Sequence, residues 1–248
     1  MEQGLKVEPS ATPPSRNANR ILAALPRAEY AQLHSALRIQ ALVSGDCIQQ
    51  ARASVQLVWF PIDCLISVRA EILPGGVLEV GLLGSEGVVG IAGGRNGLDS
   101  VLSAVVQNSG SAFCIDVKTL KRQLPSCPSL QQALYLSMHG LMMQASQNAV
   151  CSHYHLLEAR LARSLLATRD RLHVNEFHLT HEFLGQALGV RRVGVTKAAT
   201  ALQTRQLIRY TRGAIKVVDG DGLEQAACAC YALDRAHLGI AVPNKVSE

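Results

Sequence analysis

Apolar residues recur at two different periods along this 248-residue chain, and the switches between them mark its parts. Residues 19–42 begin with a helical pattern, ILAALPRAEYAQLHSAL, whose second half opens at Pro26 and Glu29. From Val43 the period shortens. Residues 55–59, 65–71, 77–83, 88–91, 101–107 and 112–117 are short β-type runs punctuated by glycines, among them Gly75, Gly76, Gly84, Gly87, Gly93, Gly94, Gly97 and Gly110. Many short strands at roughly 8–12-residue spacing predict a sandwich or barrel, here a small antiparallel roll. The helical period returns after Pro125 and Pro128, and residues 129–152 form a run of about 24 residues, or ~36 Å as a helix. Leu130, Leu134, Leu141, Ala145 and Asn148 make one stripe, with Tyr135, Met138, Met142 and Ala149 alongside. A helix so long and so apolar needs a partner along its length. It is predicted to be a dimerisation helix, with Leu130, Leu134, Met138, Leu141 and Ala145 at the interface. Residues 155–172 form a further amphipathic helix, and residues 221–238 a C-terminal one.

Residues 180–203 hold two short helices. Thr180 is a candidate N-cap, because its hydroxyl can accept from an orphan amide of the first turn. Phe183, Leu184, Ala187 and Leu188 share one face of the first helix. Gly189 supplies the turn through its access to positive φ. The second helix, 191–203, packs Val195, Ala198, Ala199 and Leu202 at i, i+3, i+4 and i+7, and turns Arg192, Thr196, Thr200 and Gln203 outward with Arg191 and Lys197 beside them. This is a helix-turn-helix pattern whose second helix suits a DNA major groove. The plainer alternative is a helical hairpin with a solvated basic face. Residues 204–219 then read strand, turn at Arg212-Gly213, strand, which is the wing of a winged helix.

Charge favours the DNA reading. Between Arg160 and Lys216 stand eleven Arg or Lys against Asp170, Glu176 and Glu182, an excess larger than the whole chain's +5. Positive charge gathered on one segment is the footprint of a phosphate-backbone partner. No apolar run approaches the ~18 residues that span a bilayer, and residues 1–18 read as a mobile tail without the hydrophobic region of a signal peptide. A cytoplasmic location without membrane contact follows. The seven cysteines are odd in number and spread without a paired framework, so they are expected to be reduced. No metal site is expected: Cys228 and Cys230 are closer than the usual C-x2-C spacing. His153 and His155 near Cys151 read as polar residues at a helix junction. Cys64, Cys114 and Cys151 read as small buried hydrophobes rather than redox sensors.

The order of roll, long helix and winged helix resembles the Crp/Fnr family of bacterial transcription regulators. The segments WFPIDCLISV, VGLLGSEGVVGIA, AVVQNSGSAF, LGVRRVGVTKAATALQ, LIRYTRGAIKV and LEQAACACY extend the resemblance over residues 19–231. It implies an α+β chain. Residues 1–18 are a tail, and 19–124 a sensor-like β-roll of the cyclic-nucleotide-binding jelly-roll kind. Residues 125–154 are the dimerisation helix and 155–240 the DNA-binding domain. It further implies a homodimer reading a palindromic operator on double-stranded DNA, its half-sites about one helical turn apart, with RNA polymerase as a further partner. Arg192, Val193 and Lys197 match the base-reading positions, with Thr196 beside them. Thr180, Arg191, Thr200 and Arg212 are the candidates for phosphate. Many members carry a glutamate where Val193 stands, so the family's best-known operator is not expected here.

Cyclic-nucleotide members carry a Gly-Glu pair and, farther along, an arginine that matches the cyclic phosphate. Here the run is Gly84-Ser85-Glu86-Gly87, and Ser103 stands where that arginine would be, so cyclic AMP is not expected; Arg95 is near only in sequence. An iron–sulfur cluster is not expected either, since no cysteine precedes Cys47. His34, His139, His153 and His155 sit in no recognisable haem motif. The cofactor is left unknown. A roll-type regulatory module without promoter binding is the alternative function. An enzyme is not expected, because the chain shows no HExxH, Walker loop, nucleophile–base pair or strand-linked GxGxxG.

Overall fold

A computed structural model describes residues 16–72, 75–91 and 100–240. Most of the expected tail, and the Gly-rich stretch around Arg95, lie outside the described residues. Two short helices lead in, α1 (Arg20–Ala24) and α2 (Arg27–His34), separated by Pro26. Asn19 caps α1: its carbonyl oxygen accepts from the amides of Ile21 and Leu22, while its side-chain amide donates to the carbonyls of Pro61 and Gly87. One fully buried side chain thus ties the lead-in helices to the roll.

The helical reading of residues 19–42 holds only as far as His34. Arg38–Leu42 is strand β1, followed by β2 (Cys47–Gln49), β3 (Leu57–Pro61), β4 (Leu65–Ile72), β5 (Gly76–Leu83), β6 (Leu102–Asn108) and β7 (Gly110–Asp116). Five residues are too few to show whether the period is 2 or 3.6, and β1 is a strand because it pairs with β7, from Arg38 opposite Cys114 to Leu42 opposite Gly110. The strands form two antiparallel sheets, ordered β1-β7-β3 and β2-β6-β4-β5. Trp59, Ile66, Val68, Leu83, Ala104, Val106 and Ala112 fill the space between them. Residues 88–91, expected as a strand, contribute only a bridge between Val89 and Trp59.

Asp116 caps α3 (Val117–Gln123), and Pro128 opens α4 (Pro128–Tyr154) at a position where its missing N–H costs nothing. The 27 residues of α4 extend for about 40 Å. Its first turns are fixed to the same chain: Leu130, Ala133 and Leu134 are buried with α1, α3 and the roll. Farther along, Leu141 packs on the roll core, and Gln144 and Asn148 bond the backbone of β5. Leu130, Leu134 and Leu141, expected at a dimer interface, therefore face the chain's own roll. The large apolar side chains left exposed on α4 are Tyr135, Met138, Met142, Val150 and, at its end, Tyr154. Among the described residues no helix is long and apolar enough to cross a membrane.

His155 and Leu156 are extended and break α4 from α5 (Leu157–Leu172). Beyond lie β8 (Glu176–His178), α6 (His181–Leu188), α7 (Arg192–Thr204), β9 (Ile208–Thr211) and β10 (Ala214–Val217), with the last strands forming a sheet of order β8-β10-β9. The expected C-terminal helix is two, α8 (Gly220–Ala226) and α9 (Cys230–Ile240), because the chain turns extended at Ala227 and buries Cys228 and Cys230. Leu161, Leu165, Leu166, Val195, Leu202, Ile215 and Leu223, each at most 1% exposed, centre this second core.

Candidate nucleic-acid interface

The local rules that build the helix-turn-helix are visible residue by residue. Thr180 Oγ1 accepts from the amide of Phe183 at 3.1 Å, which caps α6. Gly189 ends the helix in the left-handed region, at φ +64°, and Val190 donates back to the Gly185 carbonyl. A Cβ on Gly189 would also lie 2.9 Å from Leu78 Cδ1 of the roll. Gly189→Ala is therefore expected to cost about 1–2 kcal/mol through the left-handed backbone, read as a lower urea midpoint at unchanged slope. Gly194 is needed for a different reason: its Cβ would stand 3.0 Å from Leu157 Cδ2, so it lets α7 approach α5.

The inward face of α7 is the one that the spacing predicts, with Val195, Ala198, Ala199 and Leu202 all buried. Arg191, Arg192, Val193, Thr196, Lys197 and Thr200 are all exposed, Val193 at 66%. Arg191 stands at the N-cap without a side-chain cap, and the positive end of the helix lies beside two guanidinium groups. Arg212 and Gly213 make the wing turn with positive φ at both residues, +48° and +91°.

Not every residue of the set is unengaged. The Thr196 hydroxyl is within 3.0 Å of His181 Nδ1 and 3.1 Å of the Arg192 carbonyl, and the Thr180 hydroxyl is used by its cap. Gln203 Oε1 accepts from the Tyr210 amide, so this residue anchors the wing. His181 opens α6, where a polar side chain is ordinarily solvated. Instead its ring stacks on Tyr210 at 4.1 Å and joins α6, α7 and the wing in one contact. Burial and then the Arg192 charge lower its pKa, and both keep the imidazole neutral. Only a three-dimensional neighbour, Tyr210, distinguishes it, and the sequence places that residue far away.

Ion pairs sort the basic residues. Arg163 pairs with Asp234, Arg169 with Asp170, Arg171 with Glu86, Arg205 with Glu158 and Lys216 with Glu176. Arg160 donates to the carbonyl of Leu188. Arg191, Arg192, Lys197, Arg209 and Arg212 have no acidic partner among the described residues, and all five are exposed. The unbalanced charge is thus concentrated on the start of α7 and on the wing, where a polyanion can meet it.

The roll holds this unit directly. Arg171 Nε meets Glu86 Oε1 at 2.8 Å, with both side chains buried. Arg69 of β4 donates to Gln186 of α6 and lies 4.3 Å over the Phe183 ring. The Gln107 amide donates to Thr168 at 3.0 Å. Glu86 belongs to the Gly84–Gly87 run, so its carboxylate serves the junction, and Ser103 is buried. The cavity at this junction, lined by Glu79, Gln144, Arg160, Arg163 and Arg171, measures about 60 Å3. Small-molecule sites are commonly ~300–1,000 Å3.

One group of metal-ligating residue types, where the sequence led to none being expected, is brought together. Cys151 and His155 lie beside Cys228 and Cys230, and one ligand atom from each falls within 4.8 Å of all the others. His153 is not part of the group. Cys64 and Cys114 are buried as expected, and burial pushes the Cys64 thiol up to about 12.

The family described as the Crp-like helix-turn-helix domain matches residues 159–226. No curated protein matches the chain. Among solved structures, FixK2 of Bradyrhizobium japonicum is similar at 16% identity, covering 78% of this chain and 98% of its own, with a TM-score of 0.66. The c-di-GMP-responsive global regulator CLP of Xanthomonas campestris is similar at 13% identity, over 77% of this chain and 99% of its own, at 0.65. A protein of Eubacterium rectale described as a Crp/Fnr-family transcriptional regulator covers 85% and is covered over 98%, at 17% identity and 0.65. At these identities the likeness is one of fold.

Proposed function

We propose that this chain, a DNA-binding transcription regulator of the Crp/Fnr type, works as a homodimer whose two α7 helices read the halves of a palindromic operator. The observation that carries this reading is the exposed, unpaired basic surface made by the start of α7 and the wing. Arg192, Val193, Thr196 and Lys197 are assigned to bases, and Thr180, Arg191, Thr200 and Arg212 to phosphates. Because the hydroxyls of Thr180 and Thr196 already have protein partners, their share is contact rather than a new donor. We divide the chain at residues 19, 125 and 155 into tail, roll, dimerisation helix and DNA-binding domain. The protein acts by binding rather than catalysis, in the cytoplasm where the DNA is, with RNA polymerase as a further partner.

The dimer seam follows from what α4 leaves uncovered. Tyr135, Met138, Met142, Ala145 and Ala149 are spaced alternately by three and four, the repeat that two helices bury against each other. Tyr135 and Met142 are more than half exposed in the single chain. Met138→Glu with Met142→Glu is expected to give a monomer in sedimentation at micromolar concentration, with half-site binding only. A variant that remains dimeric would move the interface off α4.

Selection of the purified protein on a randomised duplex library at near-physiological salt tests the whole reading. Enrichment of a palindrome with half-sites about one turn apart is expected. Binding that is salt-sensitive but shows no enriched sequence would overturn promoter reading by α7.

A further inference from the structure

Four side chains from two distant parts of the chain close on one point. Cys151 lies on the last turn of α4, and His155 is the residue that ends this helix. Cys228 and Cys230 flank Ala229, the first in the break after α8 and the second opening α9. Cys151 Sγ is 3.5 Å from Cys228 Sγ, and Cys230 Sγ is 3.5 Å from His155 Nδ1. A tetrahedral ion bound at about 2.3 Å by thiolates and about 2.0–2.1 Å by imidazole sets its ligands about 3.5–3.8 Å apart. These two edges match that figure, all four ligand atoms lie within 4.8 Å of one another, and the three cysteines are 3–7% exposed. We propose that Cys151, His155, Cys228 and Cys230 bind one divalent ion of the zinc type in a closed tetrahedral site that fastens the C-terminal unit to the end of the long helix.

The surroundings distinguish this group from cysteines that merely fill space. Cys64 and Cys127 each direct the thiol at an oxygen, the Ser111 carbonyl and Gln32 Oε1, as neutral S–H donors do. Cys230 instead receives an N–H from Gln147 Nε2 at 2.8 Å. A sulfur that accepts from an amide behaves as a metal-bound thiolate does, and such outer donors orient ligands. Arg163 brings its guanidinium next to Cys151 and is held there by donating two hydrogen bonds to the Asp234 carboxylate, at 2.6 and 2.8 Å. Because Asp234 balances its charge, Arg163 serves the group as a fixed outer donor rather than as net positive charge.

Three thiolates and an imidazole select zinc over the hard cations magnesium, calcium and manganese. A two-iron cluster divides its protein ligands between two metal atoms. Donors that all lie within 4.8 Å of one another suit one ion. The short Cys228-Ala229-Cys230 spacing suffices because Cys228 and Ala229 lie outside the helices, Cys230 is the first residue of α9, and both cysteines are buried. The consequence is mechanical. Residues 155 and 156 are the only extended pair between α4 and α5, so an ion held there fixes the angle at which the DNA-binding unit leaves the dimer helix.

The test uses the full chain, purified under reducing conditions and reconstituted with zinc or cobalt. About one equivalent of zinc per chain is expected, and cobalt should give intense tetrahedral d–d bands with thiolate charge transfer. Cys47→Ser, which removes an exposed cysteine outside the group, should retain both signals. His155→Cys should retain the metal with a shifted cobalt spectrum, and Cys151→Ser with Cys228→Ser should reduce it below about a tenth of an equivalent. Should the double variant fail to fold, the wild type itself answers: an organomercurial that blocks thiols should release about one zinc into a chromogenic chelator. Metal below about a tenth of an equivalent in the reconstituted wild type, iron with acid-labile sulfide, or a Cys151–Cys228 disulfide in its place would each overturn the proposal.

Discussion

Arg171→Met is expected to lower the stability of the chain by about 3–5 kcal/mol, the cost of leaving one member of a buried ion pair without the other. Arg171 and Glu86 are 3% and 7% exposed at their side chains, and their contact is 2.8 Å. Without the guanidinium, Glu86 Oε1 keeps only the Gly84 amide, at 3.2 Å. The buried carboxylate would then lack a charge partner in the junction. Arg171→Met with Glu86→Gln should recover most of the loss, because the glutamine oxygen still accepts from Gly84 and no charge remains buried. Urea unfolding of the four members of this cycle measures the coupling. A loss below about 1 kcal/mol in Arg171→Met would mean that the pair is solvated like a surface one and does not hold the two units together.

This pair also shows where sequence reading reaches its limit. The helix-turn-helix could be read because its determinants are local: a capping Thr180, a left-handed Gly189 and four apolar residues at helical spacing, all within two dozen positions. The wing turn was equally legible from Arg212-Gly213. The third wing strand was not, since β8 is three residues long and only Phe177 points inward. Strand β1 failed for the same reason, being short and defined by its partner β7. On α4 the periodicity gave two adjacent apolar stripes but not which of them the roll would cover. The structure puts Leu130 and Leu134 inside and leaves Met138 and Met142 outside. The group at Cys151 was invisible because a pattern search requires ligands at set spacings. Here the second pair is delivered by the interruption between α8 and α9, which the sequence had presented as one helix. The basic excess was legible as a sum, yet five of the eleven basic residues are held in ion pairs, and only the packed chain says which arginines remain.

Arg192→Ala is expected to reduce affinity for the selected operator by about 1–3 kcal/mol per half-site, or roughly 5–150-fold, and to relax the preference at one base pair in each half. Arg192 is the first residue of α7, exposed and without an ion-pair partner among the described residues, so its planar fork is available to two acceptors of a guanine edge. Val193, 66% exposed beside it, offers no hydrogen bond and fits a thymine methyl, so Val193→Glu should shift the preferred neighbour toward cytosine. Arg212→Ala should behave differently. It sits at the tip of the wing, where backbone phosphates are the reachable partner, and its loss should weaken all duplexes alike while reducing the salt slope by about 1 unit. Titrating both variants on operator and scrambled duplexes at several salt concentrations separates the two roles. If Arg192→Ala lost affinity equally for both duplexes, the residue would be a phosphate clamp and base reading would have to rest on Val193 and Lys197. The distinction matters because α7 offers few other candidates: Thr196 is already held by His181 and the Arg192 carbonyl, and Gln203 holds the wing. On the proposed reading, specificity is expected from the first two turns of α7, and Arg192 is the exposed side chain there that carries a planar fork of donors.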